Sequence, residues 1–355
     1  MIMKRLFILV MLLAIISLPL FSQGNKLDSV AEKKIDKYLY YFSNDKAGAV
    51  VMVMKNSEIL FNKAYGLSNT DTKEMLTTNK AFNLNELSKA FTSLAIMKLV
   101  EKRKLNLDQT LTDIISDFPE YGRSIKVRHL LSHTSGLKPF DSKLISTNQQ
   151  VYDFLKNQTE GNFEAGTKIQ YSNSDYTMLA LIIEKVSKTS YQAYLTKNIF
   201  KKLSMNNTWI AENKKGLPIA DAHFKNDSIY IPNNVTNYMY GEQGIYTNST
   251  DYAKWNNALH SGKILKPELL SQIFTVEKLS TGDNNSFYGY GWAVMKKNDT
   301  RYWWHGGMGN GYTNLVLHLP DTKTTVLILT NRNDGYDFLK MSIAIAKEFD
   351  KELKL

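Results

Sequence analysis

The distribution of apolar runs along the chain constrains its fold more than any other feature. Strand-like runs lie towards both ends, and helical periodicity lies between them. Ala49-Val50-Val51-Met52-Val53-Met54 precedes the polar turn Lys55-Asn56-Ser57-Glu58 and then Ile59-Leu60-Phe61, the pattern of a β-hairpin. Late in the chain, Gly291–Met295, Tyr302–Trp304, Thr313–Leu317 and Thr325–Leu329 are rich in β-branched and aromatic residues, at lengths that suit a sheet. Between these ends, Leu87, Phe91, Leu94, Ala95 and Leu99 recur at helical spacing. Ala90, Ile96, Met97 and Val100 widen that stripe, which predicts a helix from Leu87 to Lys102 buried on most sides. Ser174–Val186, Tyr191–Phe200 and about Phe338–Glu348 are further helices. The expected class is α/β (α+β), with one antiparallel sheet built from both chain ends, flanked by helices and carrying an inserted, mainly helical region. The sheet region covers about 24–85 and 245–355, and the helical region about 86–244, in a single domain from 24 to 355.

The 355 residues contain no cysteine, so ordinary apolar packing has to hold this fold without disulfides. Residues 1–23 open with Met1-Ile2-Met3-Lys4-Arg5, continue as an apolar run from Leu6 to Leu20 and leave through Phe21-Ser22-Gln23, which reads as a signal peptide. The run falls short of the ~20 residues that span a bilayer, so the expectation is an exported protein, periplasmic or secreted, with no stable membrane anchor after cleavage. The formal charge of +10 would suit an anionic polymer, but the lysines are scattered in pairs such as Lys33-Lys34, Lys201-Lys202 and Lys214-Lys215. A solvated surface is the simpler reading, and nucleic acid is not an expected partner.

Several separated segments carry recognisable motifs. Phe82 to Ser93 contains Glu86-Leu87-Ser88-Lys89, and Leu105-Asn106-Leu107-Asp108 follows. Then come Val127-Arg128-His129-Leu130-Leu131-Ser132-His133-Thr134-Ser135-Gly136-Leu137 and, after Gly166, Tyr171-Ser172-Asn173. Leu203-Ser204-Met205 with Thr208, Gln243 to Asp251, and His305-Gly306-Gly307 complete the series. In order and spacing, the set resembles the class C β-lactamase, DD-peptidase and esterase family of penicillin-recognising serine hydrolases, from about Ala47 to Asn331. The resemblance implies a β-lactamase-like fold; with no glycine-rich phosphate loop and no dinucleotide fingerprint in the sequence, no cofactor is expected. The resemblance also implies a small-molecule or peptide-like acyl ligand, a cell-wall peptide among the candidates.

Acyl transfer needs a nucleophile, a base, an acid for the leaving atom and donors for the oxyanion. The resemblance makes Lys89 and Tyr171 the proton-handling pair and has Asn173 position the substrate amide. It has His305 bind a carboxylate or polarise Tyr171. Gly307 leads to Met308, whose backbone amide pairs with that of Glu86 as the oxyanion donors. The family's nucleophile is the serine of Ser-x-x-Lys, and here Glu86 stands in its place. A carboxylate is a poor nucleophile towards an ester or amide and leaves more readily than the group it must expel. Near a helix start capped by Asn85, Glu86 and Lys89 are expected to share a face as an ion pair. Ser88 points elsewhere and is rejected as a displaced nucleophile.

Three readings follow. The chain is a silent homologue that keeps the pocket and binds a ligand; or an acid–base enzyme of changed mechanism with Glu86 as general base on an amide, ester or peptide-like substrate; or a serine hydrolase with an altered residue 86. The aromatic group Tyr288, Tyr290, Trp292, Tyr302, Trp303 and Trp304 would suit a glycan or peptide groove, although packing of a sheet face is the stronger reading. His129 and His133 have ligand-like spacing without a third partner, and a structural role is expected for both.

Overall fold

The computed structural model describes residues 29–210, 218–226, 229–232, 239–282 and 287–355. The leader at 1–23 and part of the stretch from Lys214 to Asn237 lie outside the described residues. Helix α1 (Ser29–Tyr38) precedes the hairpin of β1 (Ala49–Lys55) and β2 (Glu58–Tyr65). Then come α2 (Lys89–Glu101), α3 (Asn173–Ser187) and α4 (Ser249–His260), with shorter helices between them. The chain closes with β3 (Ala293–Lys297), β4 (Thr300–Gly309), β5 (Tyr312–Leu319), β6 (Thr324–Thr330) and α5 (Phe338–Phe349).

The six strands form one antiparallel sheet in the order β3-β4-β5-β6-β1-β2, so strands from the two ends of the chain meet where β1 pairs with β6. In that register Val51 faces Ile328 and Val53 faces Val326. The runs are almost wholly apolar because both faces are covered. Alternate residues point to opposite sides. Val51, Val53 and Ile328 pack with Ile35, Leu39 and Ile345 from the terminal helices. Val50, Met52 and Leu327 join the larger core around Phe91 and Leu94 of α2. The predicted fold class is therefore the observed one. Among the described residues, no helix is long and apolar enough to cross a membrane.

Three details depart from expectation. The strand predicted from Gly291 begins at Ala293, because Gly291 sits at φ +81° and passes against the start of α2. A Cβ there would lie 2.8 Å from Ser93 Oγ and 3.0 Å from Lys89 O, so only glycine lets the chain cross so closely. Downstream of the long helical region's last predicted helix, His223–Asn226 pairs with Ile229–Pro232 and with Arg332–Asn333 in a small sheet. Its strands, of four residues or fewer, are too short to announce themselves by pattern. The helix begun at Tyr191 continues from Thr196 to Phe200 as a wider π-helical turn.

Candidate functional site

Glu86 lies in a 3₁₀ turn, Asn85–Ser88, that leads directly into α2. Asn85 does not cap the helix as expected. It has φ +46°, and its side-chain amide donates to Gly309 O (2.8 Å) and Tyr312 O (3.3 Å). It thereby fastens the β4–β5 hairpin to the turn. Gly307 makes this approach feasible, since a Cβ there would stand 2.2 Å from Leu84 O and 2.9 Å from Glu86 N. Met308 N–H then donates to Glu86 Oε2 at 2.9 Å. The backbone donor expected to face an oxyanion is thus bonded to the carboxylate of Glu86.

The expected Glu86–Lys89 ion pair is not formed. Lys89 is fully buried and its Nζ donates to Asn173 Oδ1 (2.8 Å) and to Glu242 O (3.4 Å). Its ion-pair partner among the described residues is the Glu242 carboxylate, at 3.9 Å. Burial lowers the Lys89 pKa, with Glu242, Glu86 and Asp175 opposing that shift. Burial raises Glu242 to about 8, against the pull of Lys89. Among the described residues Glu242 Oε2 accepts no hydrogen bond, and its ion-pair contact is the one across the gap to Lys89. Sequence reasoning missed this residue. Its signal was an acidic side chain inside the glycine-rich Gly241-Glu242-Gln243-Gly244, where the backbone turns through φ +97° and +95° at the glycines.

Tyr171 and Asn173 flank the start of α3, and Asn173 is drawn inwards by its bond to Lys89. The Lys89 ammonium sits 4.7 Å from the centre of the Tyr171 ring, an arrangement that favours the charged amine. The Tyr171 ring is 47% exposed at the cavity, and its hydroxyl has no hydrogen-bond partner among the described residues. Loss of solvation raises its pKa well above the usual value, and the carboxylates of Glu86 and Glu242 add to the shift.

His305 occupies β4 next to Tyr171 in space, with ring centres 6.4 Å apart, but it does not polarise that residue. Its Nδ1 lies 2.6 Å from Gly306 O, and its Nε2 lies 2.8 Å from the Tyr288 hydroxyl. The carbonyl is only an acceptor, so Nδ1 carries the proton and Nε2 accepts from Tyr288. Both nitrogens are committed within the protein. Burial, then the charge of Lys89, lowers the His305 pKa to about 3, and the ring is neutral.

All six histidines are shifted downwards, chiefly by burial. A histidine depressed on folding contributes stability above pH 6.5 that is lost as the pH falls towards its folded value. For His305 alone, the drop from pH 7 to pH 5 should cost about 2 kcal/mol. Chemical denaturation at both values should therefore show a smaller acid loss in His305→Asn than in the natural chain.

Behind the site, His133, at φ +59°, places Nδ1 2.8 Å from Asp175 Oδ2, and Ser135 Oγ bonds the other carboxylate oxygen. Burial shifts both away from their charged forms, raising Asp175 and lowering His133. His129 Nδ1 accepts from Lys126 N instead, so the two histidines serve separate local bonds. Ser88 is buried with its Oγ accepting from Ile245 N, a structural bond. Of the aromatic group, Tyr288, Tyr290, Trp292 and Tyr302 are buried, and Trp303 stacks on Phe274 with centroids 3.7 Å apart. Packing of the sheet thus accounts for most of that group.

Glu86, Tyr171, His305 and Gly306–Met308 form one wall of a cavity of about 610 Å³. Phe287, Tyr288, Trp304 and Tyr336–Leu339 supply much of the remainder. The exposed apolar side chains Tyr171, Phe287, Met308 and Tyr336 all border it. The arrangement joins a mainly apolar recess to a carboxylate seated on a backbone donor.

A family model described as Beta-lactamase matches residues 28–348. Penicillin-binding protein 4* of Bacillus subtilis is 29% identical over 314 residues, covering 81% of this chain and 69% of that protein. Protein flp of Staphylococcus aureus is 26% identical over 303 residues, covering 81% of this chain and 60% of that one. The chain thus spans roughly two thirds of the length of these relatives. The solved octameric penicillin-binding protein homologue from Pyrococcus abyssi superposes with a TM-score of 0.80 at 23% identity, covering 90% of this chain and 76% of that one. With the sheet and helices in place and the family model running through nearly all of the described residues, the chain belongs to the beta-lactamase family.

Proposed function

We propose that the protein is an exported, catalytically silent member of its family that binds a peptide-like acyl ligand in the cavity beside Glu86. The observation that carries this reading is the 2.9 Å bond from Met308 N–H to Glu86 Oε2. An oxyanion donor catalyses only if it is free to meet charge that develops on the substrate. Here the Glu86 side chain holds that donor, and it occupies the place expected of the nucleophile. The same bond weighs against Glu86 as a general base, because a carboxylate oxygen engaged by an amide is less available to a water molecule. The lysine, tyrosine and asparagine around it remain as parts of a binding site. The name of the B. subtilis relative refers to penicillin, an acyl compound, and supports an acyl ligand.

The test offers the natural protein a chromogenic β-lactam, a simple ester, a fluorescent acylating probe and a labelled D-amino-acid peptide. The expected result is no turnover and no covalent label, with saturable binding of the peptide. Trp304→Ala, which strips one wall of the cavity, should weaken that binding roughly tenfold. Turnover without labelling that disappears in Glu86→Gln would instead make Glu86 a working base.

A further inference from the structure

A second cavity, of about 680 Å³, shares no lining residue with the first. Four lysines line it: Lys98 from α2, Lys202 from the turn after the π-helical segment, Lys254 from α4, and Lys263 just beyond α4. Among the described residues, no carboxylate lines it. Lys98 is only 6% exposed, and its ammonium is held by Ile264 O at 2.7 Å. Lys254 bonds Ser204 O (2.6 Å) and Asp251 Oδ1 (2.7 Å). Lys202 and Lys263 form no ion pair among the described residues. Like charges gathered in a concavity repel one another; burial lowers the Lys98 pKa, opposed by the charge of Glu101 and aided by those of Lys202 and Lys102. A merely solvated surface would let these cations spread apart. A concave, low-dielectric wall instead focuses their field outwards, onto an anion.

We propose that this cavity binds phosphate groups, with Lys202 and Lys263 as the free cations and Lys98 and Lys254 as anchored ones. Lysine meets phosphate as a point charge, and several such charges around one concavity suit a multiply charged anion. Lys201-Lys202 looks unremarkable in sequence, yet the fold brings Lys202 together with three lysines from distant segments.

The experiment measures calorimetric binding of inorganic phosphate and of a short linear polyphosphate to the purified protein at low and moderate salt. Lys202→Glu with Lys263→Glu should weaken binding at least about tenfold, and added salt should weaken it in the natural chain. Lys143→Glu with Lys297→Glu changes the net charge equally at exposed positions elsewhere and should leave affinity almost unchanged. Saturation by inorganic phosphate points to a single phosphate group as the ligand, and binding of the chain alone points to a phosphate polymer. Either result supports the site. Equal losses in both double variants, or no binding of either probe at low salt, would overturn it. Both exposed pairs should leave the melting temperature in place, and the outcome does not depend on Glu86.

Discussion

Replacing Glu86 with serine is expected to create covalent labelling by an acylating probe that leaves the natural chain unmarked. The change removes the carboxylate that accepts from Met308 N–H and so frees that donor for a substrate oxygen. It also places a hydroxyl one helical turn from Lys89, with Tyr171 across the cavity. Removing the nucleophile from a mature serine enzyme costs on the order of 10⁶-fold in rate. Restoring it here should recover only part of that, leaving the variant on the order of 10⁴-fold slower than a mature serine enzyme, because the remaining groups are not arranged for turnover. Glu86→Ala is the necessary control, since it frees the same amide without adding a nucleophile. It should stay unlabelled while binding the D-amino-acid peptide more tightly. A folded Glu86→Ser protein that takes no label would show that more than the side chain of residue 86 keeps the site silent.

The general form of the site was legible because its parts sit in motifs with local signatures. The buried run of α2, the turn at His133 and the glycine at 307 each follow from short-range chemistry. The pairing of charges was not legible. A spacing of three residues suggested that Glu86 and Lys89 meet, yet each finds a partner supplied by a remote segment: Met308 on β4 for one, Asn173 and Glu242 for the other. Local periodicity reports which residues share a face, and it says nothing of what the neighbouring strand offers that face. The cavity of lysines was hidden for the same reason. Lys98, Lys202, Lys254 and Lys263 are far apart in the chain, and only packing of α2 and α4 against the intervening helical segment brings them together. The small sheet at His223–Asn226 was missed on different grounds, since four polar-rich residues carry too little apolar alternation to be read as a strand.

Glu242 sets a second obstacle to chemistry, and its removal should shift the pH dependence of the serine variant. A lysine that takes a proton from serine must itself be neutral. The ionised Glu242 carboxylate, 3.9 Å from Lys89 Nζ and almost wholly buried, favours the ammonium and is the foremost influence opposing the burial of that amine. At such a distance, with an effective dielectric near 20, the attraction is about 4 kcal/mol before either group is desolvated. In the Glu86→Ser background, Glu242→Gln leaves the shape of the pocket and removes the charge. Lys89 should then lose its proton at lower pH, and the acid limb of the labelling rate should move at least about one unit towards acid. Labelling at pH 9, where Glu242 is ionised, should rise roughly tenfold, without the change in probe affinity that a repacked cavity would cause. Were the two serine variants to share one pH profile, Glu242 would be no more than a packed carboxylic acid. Glu242 is raised to about 8, so its charge fades below that pH. The effect of Glu242→Gln should therefore be larger at pH 9 than at pH 6, a trend that a loss of packing would not produce.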